Sequence, residues 1–118
     1  SILQVLIVAN KESYLGEFEH IVLLTIMRLK DDAYGVTVRQ QVKQLIDRDV
    51  SIGALYATVD RLEKKQLITT RSSQPTPERG GRAKRYLTIT LQGLDTLQAT
   101  KKSLDILWHG LELNNVVS

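Results

Sequence analysis

The side chains best suited to chemistry in this sequence are cations, and they are concentrated in one stretch. Residues 61–86 carry eight Lys or Arg against two acids, a net charge of +6. Residues 1–60 carry six basic against eight acidic side chains, and residues 87–118 carry two against three. Local positive potential attracts a polyanion more effectively than net charge does. The distribution indicates a phosphate-contacting face, with a solvated lysine-rich surface as the alternative.

Residue types that catalyse reactions or bind metals are present, but their spacing matches no known catalytic or metal-binding motif. His20 and His109 each lack a partner at metal-ligand spacing. Glu17 and His20 form one Glu-x-x-His pair, whereas metal sites in helical bundles use several carboxylates and histidines. Gly80-Gly81 is not followed by the lysine and hydroxyl residue of a nucleotide-binding loop. We therefore expect no enzyme, no metal and no cofactor.

Size and hydropathy limit the class of protein. The 118 residues fit one domain, 42% hydrophobic and without cysteine, and domains of this size often strengthen their core by oligomerising. The longest apolar run, residues 2–9 interrupted by Gln4, is too short to span a bilayer and lacks the basic flank of a secretion signal. We expect a cytoplasmic protein with no membrane partner.

Apolar spacing predicts three helices before the cationic stretch. They cover about residues 16–30, 34–47 and 51–65, and Ser51 is a good N-cap for the third. Their predicted buried stripes are, in turn, Phe18, Val22, Ile26 and Leu29; Val38, Val42, Leu45 and Ile46; and Ile52, Leu55, Val59 and Leu62.

After Lys65 the pattern changes from helical to alternating. Residues 67–72 and 84–90 are predicted strands, joined by a loop with two prolines and two glycines. Helical spacing returns over about residues 92–113. The expected fold is mainly α with a small β hairpin: a winged helix-turn-helix (14–90), a C-terminal dimerisation helix (91–113) and an N-terminal extension (1–13).

The third helix and the hairpin together suit duplex DNA. We expect Ala54, Thr58, Arg61 and Lys65 to lie opposite the buried stripe, where small residues permit close approach to base edges and cations contact phosphate or guanine. The cations of the hairpin could follow the backbone into the adjacent minor groove. These residues are Arg79, Arg82, Lys84 and Arg85, beside Gly80 and Gly81.

Four segments in order and spacing make the chain similar to PadR-type regulators: residues 14–19, 32–36, 51–63 and 75–82. The resemblance covers about residues 14–112. It implies a winged-helix repressor that binds a palindromic operator as a dimer, with residues 51–65 as recognition helix and 76–82 as wing tip. Ala57 stands where the family often has proline, which should matter little in the first turns of a helix. Gln66 stands where the family usually has glycine, which leaves the end of the helix open.

The resemblance also places Tyr34 and Tyr56 at or near DNA. With them, the expected DNA-binding residues are Tyr34, Ser51, Gly53, Ala54, Tyr56, Thr58, Arg61, Lys65, Arg79, Gly80, Gly81, Arg82, Lys84 and Arg85.

The last helix carries a seam that resembles a short coiled coil. Its apolar residues, interrupted by Lys101, are the expected dimer interface: Leu94, Leu97, Leu104, Trp108 and Leu111. The alternative is that this seam packs on the chain's own first helix. We expect the helix to do both, dimerisation and packing on the first helix. Trp108 has two interpretations, interface filler or a stacking surface for a small planar aromatic effector. A rival to DNA binding is a winged-helix protein-interaction module whose basic hairpin meets an acidic partner.

Overall fold

Four α-helices and one hairpin form the regular structure in the computed structural model, which describes residues 14–73 and 84–113. In chain order the elements are α1 (Glu17–Leu29), a short 3-10 helix (Lys30–Asp32), α2 (Gly35–Ile46), α3 (Ile52–Lys64), β1 (Ile68–Ser72), β2 (Arg85–Ile89) and α4 (Leu91–Trp108). The predicted order of three helices, hairpin and final helix is confirmed. The fold is a winged helix.

Helix ends are set by short polar side chains and by left-handed residues. The Ser51 hydroxyl accepts a hydrogen bond from the Ala54 amide at 3.1 Å, which confirms the predicted N-cap of α3. Thr90 caps α4 in the same way through the Gly93 amide, at 3.0 Å. After α3, Gln66 has φ 65°, so the chain leaves this helix through a left-handed residue although it is not glycine.

The core lies between the first three helices and the hairpin, with one contribution from α4. It is formed by Val22, Leu23, Ile26, Ala33, Val38, Val42, Val50, Leu55, Val59, Leu62, Leu67, Ile68, Leu87 and Leu97. Three predicted core residues are wrong, because Leu45, Ile46 and Ile52 are 53%, 52% and 45% exposed. They lie in the last turn of α2 and at the first residue of α3.

The hairpin is an antiparallel pair in which Ile68 lies opposite Ile89 and Ser72 opposite Arg85. Ile68 and Leu87 are buried in the core. The Leu87 amide also donates to the carbonyl of Ala33 at 2.9 Å, which ties β2 to the chain just before α2. The base of the hairpin is therefore fixed to the helical core.

Helix α4 begins on the core and then leaves it. A Cβ atom built on Gly93 would clash with the Leu67 carbonyl oxygen and lie 2.7 Å from Cγ1 of Ile89, so only glycine permits this approach. One turn later Leu97 is buried. The predicted helix to residue 113 is too long, since α4 ends at Trp108 and Leu111 lies beyond it.

We predict that Gly93→Ala lowers the free energy of unfolding by about 1–3 kcal/mol, because the added methyl must displace the Leu67 backbone. Gly53→Ala is the matched control: the same methyl there meets no atom within 4 Å in the described part of the chain and should change stability by at most about 1 kcal/mol. Urea unfolding of both variants measures the difference. Equal effects would contradict the close approach.

Candidate nucleic-acid interface

The rotation of α3 about its own axis decides which side chains face outward. Leu55, Thr58, Val59 and Leu62 are at most 1% exposed and form its inner side. At 3.6 residues per turn, the side directly opposite carries Gly53, Ala57, Asp60 and Lys64. All four are exposed. We call them the outward stripe.

The outer face of α3 differs from the expected one by about one residue around the helix. Thr58 is buried, so the prediction that it lies on the exposed side of α3 is wrong. It lies three residues after Leu55 and four before Leu62, a spacing that puts it on the same side as both. That spacing is visible in the sequence. A hydroxyl suggests exposure, whereas this one is satisfied within the protein: it accepts a hydrogen bond from the Arg61 guanidinium at 2.9 Å.

Lys65 is held by an acid from α1. Its ammonium lies 2.9 and 3.1 Å from the two carboxylate oxygens of Glu19, whose side chain is only 7% exposed. Burial acts to raise the pKa of Glu19. A backbone hydrogen bond from Gly16, the hydrogen bond from Lys65 and the charges of Lys65 and Arg61 outweigh it, so the pKa is lowered. The pair joins the start of α1 to the end of α3.

Arg61 lies at the edge of the outward stripe. Its guanidinium is 3.8 Å from the Glu19 carboxylate, and the side chain remains 56% exposed. Lys65, by contrast, is 21% exposed and already paired. Of the two cations expected to face DNA on this helix, Arg61 is the accessible one.

The strand β2 contacts the other edge of α3 through Arg85. Both terminal nitrogens of its guanidinium lie 3.2 Å from Oδ1 of Asp60, and one of them lies 3.1 Å from Oε1 of Glu63. Thr70 on β1 adds a hydrogen bond to the second oxygen of Glu63 at 2.6 Å. Arg85, which is expected from the sequence to contact DNA, thus fastens the hairpin to α3.

Cations and aromatic rings alternate along the base of the hairpin. The Lys84 ammonium lies 4.6 Å from the Tyr34 ring centroid, Tyr34 meets Tyr86 edge-on at 5.4 Å, and the Arg71 guanidinium lies 5.0 Å from the Tyr86 ring. Such contacts are attractive because the ring face is electronegative. Hydrogen bonding to the Tyr34 hydroxyl, with the electrostatic influence of Tyr34 and Tyr86, raises the pKa of Lys84, so it stays charged.

The remaining expected site residues divide into three groups. Ser51, Gly53 and Ala54 are exposed at the start of α3. Tyr56 is half-buried, with its hydroxyl packed where a side chain on Gly35 would have to lie. Arg79, Gly80, Gly81 and Arg82 lie outside the described residues. The predicted outer side of α3 did not include Ala57, Asp60 and Lys64, although counting three and four residues from its buried positions would have placed them there.

A scan against protein-family models matches residues 23–99 to the "Transcriptional regulator PadR-like family". A search of curated proteins finds no match. Among solved structures, a PadR family transcription regulator from Clostridium difficile R20291 is 27% identical with a TM-score of 0.60, covering 76% of this chain and 90% of that one.

Two further solved structures share the fold at lower identity. A PadR-like transcription factor from Bacteroides fragilis is 23% identical with a TM-score of 0.68, over 76% of this chain and 82% of its own. F93 from STIV, a winged-helix DNA-binding protein, is 17% identical with a TM-score of 0.63, over 84% of this chain and 99% of its own.

Fold and site together define a winged-helix DNA-binding protein. The family match extends over well more than half of the sequence, from α1 into α4. The chain belongs to the PadR-like family of transcriptional regulators, and it is a regulator rather than an enzyme. Among the helices in residues 14–73 and 84–113, none combines the length and apolarity needed to cross a membrane.

We predict that Glu19→Gln lowers the free energy of unfolding at pH 7 by about 1–3 kcal/mol, because the variant loses the carboxylate charge that pairs with the Lys65 ammonium. The pKa of Glu19 is depressed in the folded state, so its contribution is complete above the ordinary value of 4.5 and disappears as the pH falls through the folded-state pKa. Unfolding of wild type and variant between pH 7 and pH 2 should show the two stabilities converging.

Glu17→Gln is the control for this experiment. It lies in the same first turn and pairs with Arg48 at 2.8 Å, but its side chain is 76% exposed. An exposed pair is worth at most about 1 kcal/mol. A constant stability difference for Glu19→Gln across this pH range would show that its carboxylate charge does not stabilise the fold.

Proposed function

We propose that the protein is a homodimeric repressor that binds a palindromic operator. In each protomer the outward stripe of α3 enters the major groove and the wing lies along the neighbouring minor groove. The observation that carries this is the composition of the stripe: it begins with two small residues, Gly53 and Ala57, and ends with the cation Lys64.

The small residues support close approach to DNA. A methyl group added at Gly53 would meet no atom within 4 Å among residues 14–73 and 84–113, so the packing of these residues does not explain why this position is glycine. A helix that enters the major groove needs short side chains where its first turns meet the base edges. The capped N-terminus of α3, at Ser51, adds backbone amides that suit a phosphate oxygen.

Cations on both sides of the stripe support phosphate contacts. Arg61 is exposed beside it, and Lys84 lies at the start of β2 with its charge stabilised by Tyr34. Arg79 and Arg82 at the wing tip, with Gly80 and Gly81, stay predictions from the sequence. Such contacts provide affinity without sequence information and make binding salt-dependent.

The second half of α4 supports dimerisation. Leu97 packs in the core of its own chain, and Leu94 is half-buried. Leu104 and Trp108 continue the same side of the helix, seven and eleven residues after Leu97, and are 42% and 52% exposed. An apolar side that runs past the chain's own core favours a second copy. Two copies would present two recognition helices to the two halves of a palindrome.

A small planar aromatic effector stays a prediction. The exposed ring of Trp108 is compatible with stacking, but the same ring is suited to filling the proposed dimer interface. Quenching of Trp108 fluorescence by planar aromatic compounds would distinguish the two roles if the dimer persists during the titration.

We predict that Lys64→Ala and Lys84→Ala each weaken binding to all duplex sequences, because each removes a cation that neutralises a phosphate. The slope of log affinity against log salt should become shallower by about 0.9 for each phosphate that is no longer neutralised. Lys102→Ala, which removes the same charge from the exposed side of α4, is the control and should leave the slope unchanged. Gel-shift titrations against random duplex at salt concentrations from about 50 to about 200 mM, where affinity falls steeply with salt, measure this slope.

The protein-interaction alternative gives a different result in the same titration. A module that binds only an acidic protein would not retard DNA even at the lowest salt. That outcome would contradict the proposed function, whereas retardation with an unchanged slope in both variants would contradict only the placement of these two cations.

We further predict that Leu104→Asp and Trp108→Asp each convert a dimer into a monomer, because a charge on the proposed interface must be desolvated when two copies associate. Ser103→Asp is the matched control on the neighbouring, exposed side of α4. Sedimentation velocity measures whether each protein is a monomer or a dimer. A wild-type chain that sediments as a monomer, or variants that remain dimeric, would contradict an interface on this side of α4.

A further inference from the structure

An acid occupies the middle of the outward stripe. Asp60 is 67% exposed, and it lies between Ala57 and Lys64 on the side of α3 directed away from the core. A carboxylate facing a polyanion is repelled by phosphate, so its presence there requires compensation and a favourable partner.

The compensation is supplied by Arg85. Its guanidinium donates from both terminal nitrogens to one oxygen of Asp60, Oδ1, at 3.2 Å. Arg85 is 31% exposed and also contacts Glu63, so it is braced between the strand and the helix. It offsets the charge of Asp60 and restricts the orientation of its carboxylate.

The second oxygen of Asp60 is left available. Among the hydrogen bonds of residues 14–73 and 84–113, none reaches Oδ2 of Asp60. An ionised carboxylate accepts hydrogen bonds and donates none. A partner for Oδ2 must therefore be a donor that is accessible from the outward stripe.

We propose that Asp60 recognises the exocyclic amino group of a cytosine in the major groove, held in position by Arg85. This inference rests on the proposed function, because it requires the outward stripe to face the base edges. Cytosine presents a lone donor there, while guanine N7 and O6 and thymine O4 are acceptors that oppose a carboxylate. Adenine places its donor beside an acceptor, which makes it a poorer partner. The acid thus contributes to sequence preference, and Arg85 is its positioning residue.

The test is selection of bound duplexes from a random pool with wild type, Asp60→Asn and Asp60→Ala. Wild type should select cytosine at one position of each half-site by about 5-fold over the other bases, the lower end of the range for a base contact, because only Oδ2 accepts from the base. Asp60→Asn should change the selected base at that position to adenine and leave the other positions as they are in wild type. The reason is that a carboxamide can donate to N7 and accept from the amino group of adenine. Asp60→Ala should lose preference there and keep it elsewhere.

Two acids serve as controls. Glu63→Gln removes a charge that contacts the same arginine but lies off the stripe, and Asp105→Asn removes one from α4 that pairs with Lys101 at 2.7 Å. Both should leave the selected base unchanged. Arg85→Ala should reduce discrimination at the Asp60 position, and Arg85→Lys should restore part of it, which a purely structural arginine would not do.

The outcomes separate this inference from the function on which it rests. If wild type binds duplex with a salt slope and Asp60→Asn selects the same half-site as wild type, the role of Asp60 is overturned and DNA binding stands. If wild type enriches no duplex, the proposed function fails and the role of Asp60 fails with it. Thermal unfolding of each variant establishes that the exposed substitutions leave the fold intact.

Discussion

The rotation of α3 against the core is the constraint on which the rest of the molecule depends. Leu55, Thr58, Val59 and Leu62 are buried together, and removing any one of them from the core would expose apolar surface or leave a cavity. Because these four positions are fixed, the residues on the opposite side of the helix are fixed as well. The surface available to DNA is thus a consequence of packing on the inner side.

Charged side chains reinforce that rotation from both edges of the helix. On one edge the buried carboxylate of Glu19 holds Lys65, and on the other Arg85 holds Asp60 and Glu63. The first contact connects α3 to α1, and the second connects it to the hairpin. Exposed pairs of the second kind add little to the free energy of unfolding. The Glu19–Lys65 pair is the more buried of the two contacts and therefore contributes more to the free energy of unfolding.

Helix α4 belongs to two parts of the architecture. Its first turns are tied to the core by Gly93 and Leu97, while its second half carries exposed apolar residues beyond the core. Because one rigid helix contains both, any partner bound by its second half is held at a set orientation relative to α3. A division of the chain at residue 90 therefore separates segments that share a single core.

The sequence by itself determined the order of the elements, the cap at Ser51 and the concentration of cations between residues 61 and 86, because these follow from local spacing and local hydrogen bonding. It did not give the burial of four residues correctly: Leu45, Ile46 and Ile52, predicted to be buried, are exposed, and Thr58, predicted to be exposed, is buried. Only the tertiary structure decided which turns of α2 and α3 reach the core and which cations are already paired. The physical reason is that burial and ion pairing depend on neighbours far away in the chain: Glu19 lies 46 residues from Lys65, and Asp60 lies 25 from Arg85.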